Sequence, residues 1–305
     1  MNSWMTDYQT GNSLSYGNRY VIGVTESIWG GPQPIQVRND NPYNEFQMGI
    51  LSGSVMKNEW MFVATSSGAN LTVEKLLTEG STFIDIGAYS SRPGAKFVSE
   101  EEELKRITTI VHLVLKNFPN CRISIDSFRS RIIKECTEMG AAICNDISAG
   151  QLDPKMMETV GKLKIPYIMM HMRGTPQNMQ EQIQYKHIIN DIYYYFSERI
   201  QAAKAHQIND LIIDLGFGFA KTLAQNYTLL HQMPFFKNLN YPILTGISRK
   251  SMVYKVLEST ATEALNGTTA LNIIALMNGS KILRVHDAKE ALECVKLYSA
   301  LTSAP

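Results

Sequence analysis

The sequence predicts an α/β fold, a (β/α)8 TIM barrel built as a single domain, and three observations carry that prediction. From Phe46 onward, short apolar runs rich in β-branched residues alternate with longer amphipathic stretches. Eight such runs occur, the number that closes a barrel in roughly 250 residues. Each run is almost continuously apolar, as strands of a parallel sheet covered on both faces must be.

The predicted strands, in order, are Phe46–Leu51, Thr82–Ala88, Arg122–Phe128, Ala142–Ile147, Tyr167–Met172, Leu211–Phe217, Ile243–Ser248 and Ile282–Asp287. The helical stretches between them include Ser99–Asn117, Arg129–Met139, Asp153–Leu163, Tyr185–His206, Ala261–Met277 and Ala288–Leu301. Ser99 followed by Glu102 has the spacing of a capping box. Residues 1–45, rich in Asn, Gly, Tyr and Pro, read as an extension of loop character in which Tyr20–Val24 can form a short strand. The barrel is expected over residues 46–305. An open doubly wound sheet is the alternative architecture, and no GxGxxG dinucleotide fingerprint favours it.

Composition narrows the class. The chain of 305 residues is 44% hydrophobic and 19% charged, which suits a soluble globular protein with a sizeable core. Its 29 basic and 28 acidic residues leave a net charge of +1, no footprint for nucleic acid or an anionic membrane surface. Any bound anion must then be held by a local cluster of cations. No apolar run approaches the roughly 20 residues that span a bilayer. The N-terminal MNSWMTDYQT lacks the basic and apolar regions of a secretory signal. Cys121, Cys136, Cys144 and Cys294 form no CxxC pair and have no His at zinc-ligand spacing, so buried free thiols and a cytoplasmic location are expected.

Function is sought at the C-terminal ends of barrel strands, and here those ends are polar. They carry Asp85 with Ser91 and Arg92 beyond it, Asp126, Asn145 and Asp146, His171 and Arg173, Asp214 with Lys221 beyond it, Ser248-Arg249-Lys250-Ser251, and Arg284 with His286. One charged strand tip is ordinary, because a buried Asp often caps the next helix. Seven of eight tips bearing one call for a common ligand, since each costs desolvation unless paired. Asp126, Asn145 and Asp214 suit a flat heterocycle with several N–H donors. Arg92, Lys250, Arg284 and His286 suit a phosphate or diphosphate. Ser251 would open the helix after strand seven, where free N–H groups favour an anion. Phe219 and Met170 read either as ring-packing faces or as core filling. His171 reads as a structural, hydrogen-bonded histidine.

The same residues carry a resemblance to the dihydropteroate synthase family. The matching segments are Met48-Gly49-Ile50-Leu51, FIDIGAYSSRPGA from Phe83, SIDSF from Ser124, NDIS from Asn145, YIMMHMRGTPQNMQ from Tyr167, DLGFGFAKT from Asp214, GISRKS from Gly246, NGTTA from Asn266 and ILRVHD from Ile282. The resemblance implies condensation of a dihydropterin pyrophosphate with p-aminobenzoate, assisted by Mg²⁺ on the diphosphate. It implies that Asp126, Asn145, Asp214 and Lys250 hold the pterin and that Ile147, Met170, Phe219 and Gly246 line its pocket. It places Ser91, Arg92, Arg284 and His286 at the diphosphate, and Phe219, Lys250 and Ser251 at the aminobenzoate. Asp85 and Ser248 belong to the same strand tips. A homodimer through late helices is implied too, with Ala291, Val295 and Leu297 on the available face. Sulfonamides mimic aminobenzoate in that family; sensitivity here depends on loops the resemblance does not align.

One segment departs from the family. After Leu51 the family has an Asn-Val-Thr-Pro-Asp-Ser-Phe type loop, whereas this chain has Ser52-Gly53-Ser54-Val55-Met56. Ser52 occupies the position of the metal-facing Asn, so the metal ligands are left unassigned. Leu215 stands where the family has Pro after the strand-six Asp. Two other activities fit the same barrel: a catalytically impaired pterin-binding paralogue, and a pterin-dependent methyltransferase, against which the cations at strands seven and eight argue.

Overall fold

The computed structural model describes the backbone of residues 3–6, 13–15, 20–25, 35–36 and 47–48, and residues 73–91 and 97–303 in full. Its parallel strands are β1 (Tyr20–Thr25), β2 (Phe83–Gly87), β3 (Ile123–Asp126), β4 (Ile143–Asp146), β5 (Tyr167–Met170), β6 (Leu211–Asp214), β7 (Ile243–Thr245) and β8 (Ser280–Val285). Strands β2 to β8 form one curled parallel sheet, each hydrogen-bonded to the next in chain order. The backbone of β1 bridges its two edges, with Ile22 in register with Arg284 on one side and with Phe83 on the other.

The helices are α1 (73–78), α2 (Glu100–Asn117), α3 (Ser130–Glu138), α4 (Met156–Leu163), α5 (Ile188–Ala205), α6 (Leu223–His231), α7 (Ser251–Tyr254), α8 (Leu265–Met277) and α9 (Ala288–Thr302). Among the described residues no helix is long and apolar enough to cross a membrane.

The first strand differs from the sequence expectation. Within the expected strand Phe46–Leu51 the described residues are Gln47–Met48, which pair antiparallel with Ile35–Gln36 outside the parallel sheet. The slot between β8 and β2 is filled by Tyr20–Thr25, on the far side of the expected boundary at residue 46. Both runs are apolar and β-branched enough to be strands, so composition could not choose between them; the register with β8 and β2 does.

Alternation along the strands separates two cores. Ile84, Ile86, Ile123, Ile125, Met169 and Ile213 join the helices in the main cluster. Phe83, Ile143, Ile168, Ile212, Leu244 and Ile282 form a cluster of their own, the plug that fills the inside of a small barrel. Two residues further along the same strands, on the same face, stand Asp85, Asn145, Met170, Asp214, Gly246 and Arg284. The polar layer therefore rests on an apolar floor.

Local chemistry sets where strands stop and helices start. After Asp214 the chain leaves the sheet through Gly216, whose φ is +67°; a Cβ there would stand 2.0 Å from His171 O. The helix expected from Asp153 begins at Met156, because the Asp153 carboxylate instead accepts from Ser130 N (2.7 Å) and Lys155 N (2.9 Å). Ser99 caps α2 by accepting from Glu102 N at 3.3 Å, but the Glu102 side chain turns to Arg106 Nε at 2.7 Å, so only half of the expected capping box forms. A complete one occurs at Thr222 and Gln225, ahead of α6. All four cysteines are free and buried.

Candidate active site

The polar layer is organised around one guanidinium. Arg284, near the end of β8, donates from Nε to Asp85 Oδ2 (2.7 Å) and from Nη2 to Asp126 Oδ2 (2.8 Å). Asp85 is 1% exposed and also accepts from Asn145 Nδ2 at 3.1 Å. These four side chains, from β8, β2, β3 and β4, form one charge-assisted network inside the barrel mouth. Asp85 is turned towards Arg284 and Asn145, so its place is behind the ligand-facing groups rather than among them.

A second group lies on the β6 and β7 side. Asp214 accepts from Gly216 N at 2.8 Å. Burial holds its carboxyl above the ordinary carboxylate value, against the opposing pull of the Lys250 charge and the Gly216 N–H. Lys250 donates to Phe217 O at 2.7 Å, and its ammonium lies 4.9 Å from the centre of the Phe219 ring. Ser251 opens α7 directly after Lys250. Gly246 leaves this space clear: a Cβ there would approach Lys250 Nζ and the Arg284 Cβ to 3.8 Å each. Ile147, Met170, Met172, Met179 and Ala220 form a small apolar cluster with Phe219 packed against it.

At the β7 and β8 tips, the backbone N–H of His286 donates to Ser248 Oγ at 3.2 Å, and Ser248 Oγ lies 2.9 Å from His286 Nδ1. The two contacts hold the His286 ring and backbone to one hydroxyl, the direction of the Oγ–Nδ1 bond following the imidazole tautomer.

Several of the other polar strand-tip residues are committed elsewhere. Arg249 makes a bidentate pair with Asp287 (2.8 and 2.8 Å) and donates to Ala261 O and Thr262 O, so it clamps the loop before α8 and is not a site cation. Arg173 lies 3.9 Å over the Tyr185 ring and pairs with Asp191 at 3.2 Å. His171 is buried, its ring edge-on to Tyr195 at 4.8 Å, and burial holds it well below the ordinary histidine value. Asp146 is consumed by Ser148 N (2.8 Å), Ser148 Oγ (2.7 Å), Gly150 N (2.6 Å) and Tyr167 Oη (2.7 Å). Ser91 ends the described stretch beyond β2; Arg92 and Ser52 lie outside the described residues.

Sequence alone did not assign Lys221 or the Glu103–Arg129 pair. Glu103 of α2 is fully buried and accepts from Ser127 Oγ (2.7 Å) and Arg129 Nη1 (2.5 Å). Arg129 also donates to Val98 O at 2.7 Å, tying down the end of the β2–α2 connection. The only available signal was position: both arginine and lysine directly follow a strand-tip motif.

The donor set was tested for a divalent cation. Among the described residues no group of three His, Cys, Asp or Glu side chains converges to hold one. The two mouth carboxylates, Asp85 and Asp126, already accept from Arg284. The described residues therefore do not fit a protein-built cage for Mg²⁺, which needs near-octahedral oxygens.

Comparison with known proteins gives a consistent family. Residues 48–286 match the family described as pterin binding enzyme. The chain is 40% identical over 234 residues to the dihydropteroate synthase of Haemophilus influenzae, covering 76% of this chain and 84% of that one. It is 38% identical over 231 residues to that of Escherichia coli, covering 75% and 81%. Among solved structures it resembles the Yersinia pestis dihydropteroate synthase with a sulfonamide drug complex, at a TM-score of 0.82 and 33% identity over 98% of this chain and 99% of that one. It also resembles the Xanthomonas albilineans dihydropteroate synthase with 4-aminobenzoic acid, at a TM-score of 0.80 and 26% identity over 100% of both chains.

Proposed function

The chain belongs to the pterin-binding enzyme family, with dihydropteroate synthases as its relatives, and from that premise we propose how its barrel mouth performs their reaction. It is a transferase of folate biosynthesis, joining 6-hydroxymethyl-7,8-dihydropterin pyrophosphate to p-aminobenzoate and releasing pyrophosphate. The observation that carries the assignment of roles is the network of Arg284 with Asp85, Asp126 and Asn145, set beside Asp214 and Lys250 on an apolar floor. We take the whole as a (β/α)8 barrel whose first strand is Tyr20–Thr25, so that the barrel starts ahead of the expected boundary at residue 46.

In this proposal the N–H donors of the pterin edge go to Asp214 and Asn145, with Lys250 donating to a ring acceptor. Met170, Ile147, Phe219 and Gly246 bound the ring. The diphosphate lies towards Ser91, Arg92, Arg284 and His286, with the His286 ring held in place by Ser248. The C–O bond from the pterin methylene to the diphosphate breaks, and the arylamine nitrogen forms the new C–N bond and loses a proton. Cations held where the leaving charge develops lower that barrier. Asp126, shared with Arg284, is the nearby negative charge for the electron-poor methylene. An arylamine is nucleophilic when neutral, so positioning rather than a strong base does the remaining work. Phe219, Lys250 and Ser251 border the aminobenzoate. Mg²⁺ carried in on the substrate diphosphate would add Lewis-acid assistance to its departure, while the residues named above would hold the diphosphate itself.

We further propose a homodimer through α8 and α9. Ile274, Met277, Leu297 and Leu301 present exposed apolar surface there, with Leu297 at 68%. Ala291, expected on that face, is buried in the main core instead. The four buried free thiols suit a cytoplasmic location.

The test is pyrophosphate release from the dihydropterin pyrophosphate, with and without p-aminobenzoate. Amine-dependent release that collapses in Lys250→Ala is expected. Pterin binding without any release would overturn the synthase assignment.

A further inference from the structure

Lys221 has no part in the roles given above, yet it is one of the most committed side chains near the mouth. It is 5% exposed. Its ammonium donates to Gly216 O (2.8 Å) and Phe219 O (3.0 Å) and meets His171 Nδ1 at 3.1 Å. The uncharged His171 ring offers that nitrogen as an acceptor. The turn it grips is unusual: Gly216, Gly218 and Ala220 all have positive φ, at 67°, 84° and 47°.

These alternating angles turn successive carbonyls to different partners. Gly216 O and Phe219 O face Lys221, whereas Phe217 O faces Lys250. Asn226 Oδ1 accepts from Gly218 N at 2.7 Å and fixes the middle of the turn. The turn is thus held between a buried lysine and the site lysine, and the Phe219 ring under Lys250 stands where the turn puts it. A buried ammonium is a costly way to fill volume that a methionine would fill without charge. Its retention points to the geometry it imposes.

We propose that Lys221 is a positioning residue for the aminobenzoate half of the site: it pins the 216–220 turn so that the Phe219 ring and Lys250 stand in register. This rests on the synthase assignment above. It predicts an unequal loss, larger for aminobenzoate than for pterin, because Asn145 and Asp126 hold the pterin from β4 and β3, away from the turn, while Phe219, Lys250 and Ser251 border the aminobenzoate.

The experiment uses Lys221→Met, which keeps the chain length and loses every donor, and Lys221→Gln, which keeps two. Steady-state KM for aminobenzoate and calorimetric affinity for the dihydropterin pyrophosphate are measured in each. Calorimetric aminobenzoate binding to the pterin-loaded protein gives the same readout without turnover, so an inactive wild type would sink the synthase assignment and leave this test intact. For Lys221→Met we expect aminobenzoate binding weaker by about tenfold or more and pterin binding weakened several-fold less than that, with Lys221→Gln between. A double-mutant cycle of Lys221→Gln with Phe219→Leu is expected to be strongly non-additive on the aminobenzoate side. Equal loss for both substrates, an additive cycle, or failure of both Lys221 variants to fold would each overturn the proposal, the last because Lys221 would then be holding the fold and not a wall of the site.

Discussion

Removing the Arg284 guanidinium isolates what the central network contributes. In Arg284→Met the side chain keeps most of its volume and loses two charge-assisted bonds, at 2.7 Å to Asp85 and 2.8 Å to Asp126. The side chains of Asp85 and Asp126 are 1% and 15% exposed, and Arg284 itself 12%. Solvent therefore cannot take over as the partner of Asp85. Breaking a buried pair by deleting one member costs about 3–5 kcal/mol, mostly from the charge left behind. For a domain of this class each kcal/mol lowers the melting temperature by roughly 2–4 °C, so a fall of about 6–20 °C is expected. Urea unfolding followed by far-ultraviolet circular dichroism gives the free energy directly. The mechanism makes a second demand. If the cost is an orphaned carboxylate, Asp85→Asn in the Arg284→Met background must restore roughly half of the loss, because it removes the charge while keeping the amide partner for Asn145. A loss below about 1 kcal/mol, typical of exposed pairs, or a double variant no more stable than Arg284→Met, would refute the reasoning.

Three further outcomes follow from the same geometry. Asp214→Asn should weaken pterin binding by about 10- to 150-fold, the equivalent of roughly 1.5–3 kcal/mol for a bond to a charged acceptor. Burial holds the Asp214 carboxyl above its ordinary value, so its ionised form is penalised in the folded state. Calorimetry should show pterin affinity falling as pH drops through that raised value, while Asp214→Asn melts no lower than wild type at neutral pH. Lys221 gives a linkage of different form: burial lowers it from 10.5 to about 7, so between those values the folded protein has released a proton that the unfolded chain keeps. Stability from Lys221 should therefore rise with pH across that window, by at most about 5 kcal/mol at 1.36 kcal/mol per unit, and urea titrations of Lys221→Met should lack the rise. Finally, Gly216→Ala should cost several kcal/mol and abolish soluble expression or lower the melting temperature sharply, since its Cβ would lie 2.0 Å from His171 O and its φ is +67°.

Strands β2 to β8 were legible because each is a short apolar run between amphipathic stretches, and the C-terminal tips were legible because charged residues there break the apolar pattern. His171 and the cysteines behaved as their types suggest: buried, with the histidine hydrogen-bonded and uncharged. Pairing was not legible. Nothing in the local pattern says that Arg249 is spent on Asp287 while Arg284 serves Asp85 and Asp126, because both are arginines at strand tips. Tyr20–Val24 read as a short strand of the extension and not of the barrel for a related reason: a six-residue strand has no amphipathic signature, and its place in the sheet lies in the neighbours it meets. Strand ends were overestimated wherever apolar residues continue past the turn, as Leu215 and Phe217 do after Asp214. Glycine φ values, which stop those strands, are set by contacts with remote backbone.

The bond between Arg284 and Asp85 joins residues 199 positions apart, and this has a consequence during synthesis. At about 5–20 residues per second, a ribosome needs roughly 10–40 s to deliver the arginine after the aspartate has been made. Until then Asp85, and Asp126 once it is made, lack the guanidinium that pairs with both of them in the folded protein. Early strands and helices can condense on their apolar faces, but the charged interior of the mouth has to wait for the last strand. The polar layer of the mouth is thus completed only when β8 joins the sheet, and a translation pause placed shortly before residue 284 should prolong the lifetime of a chain whose mouth lacks its central cation.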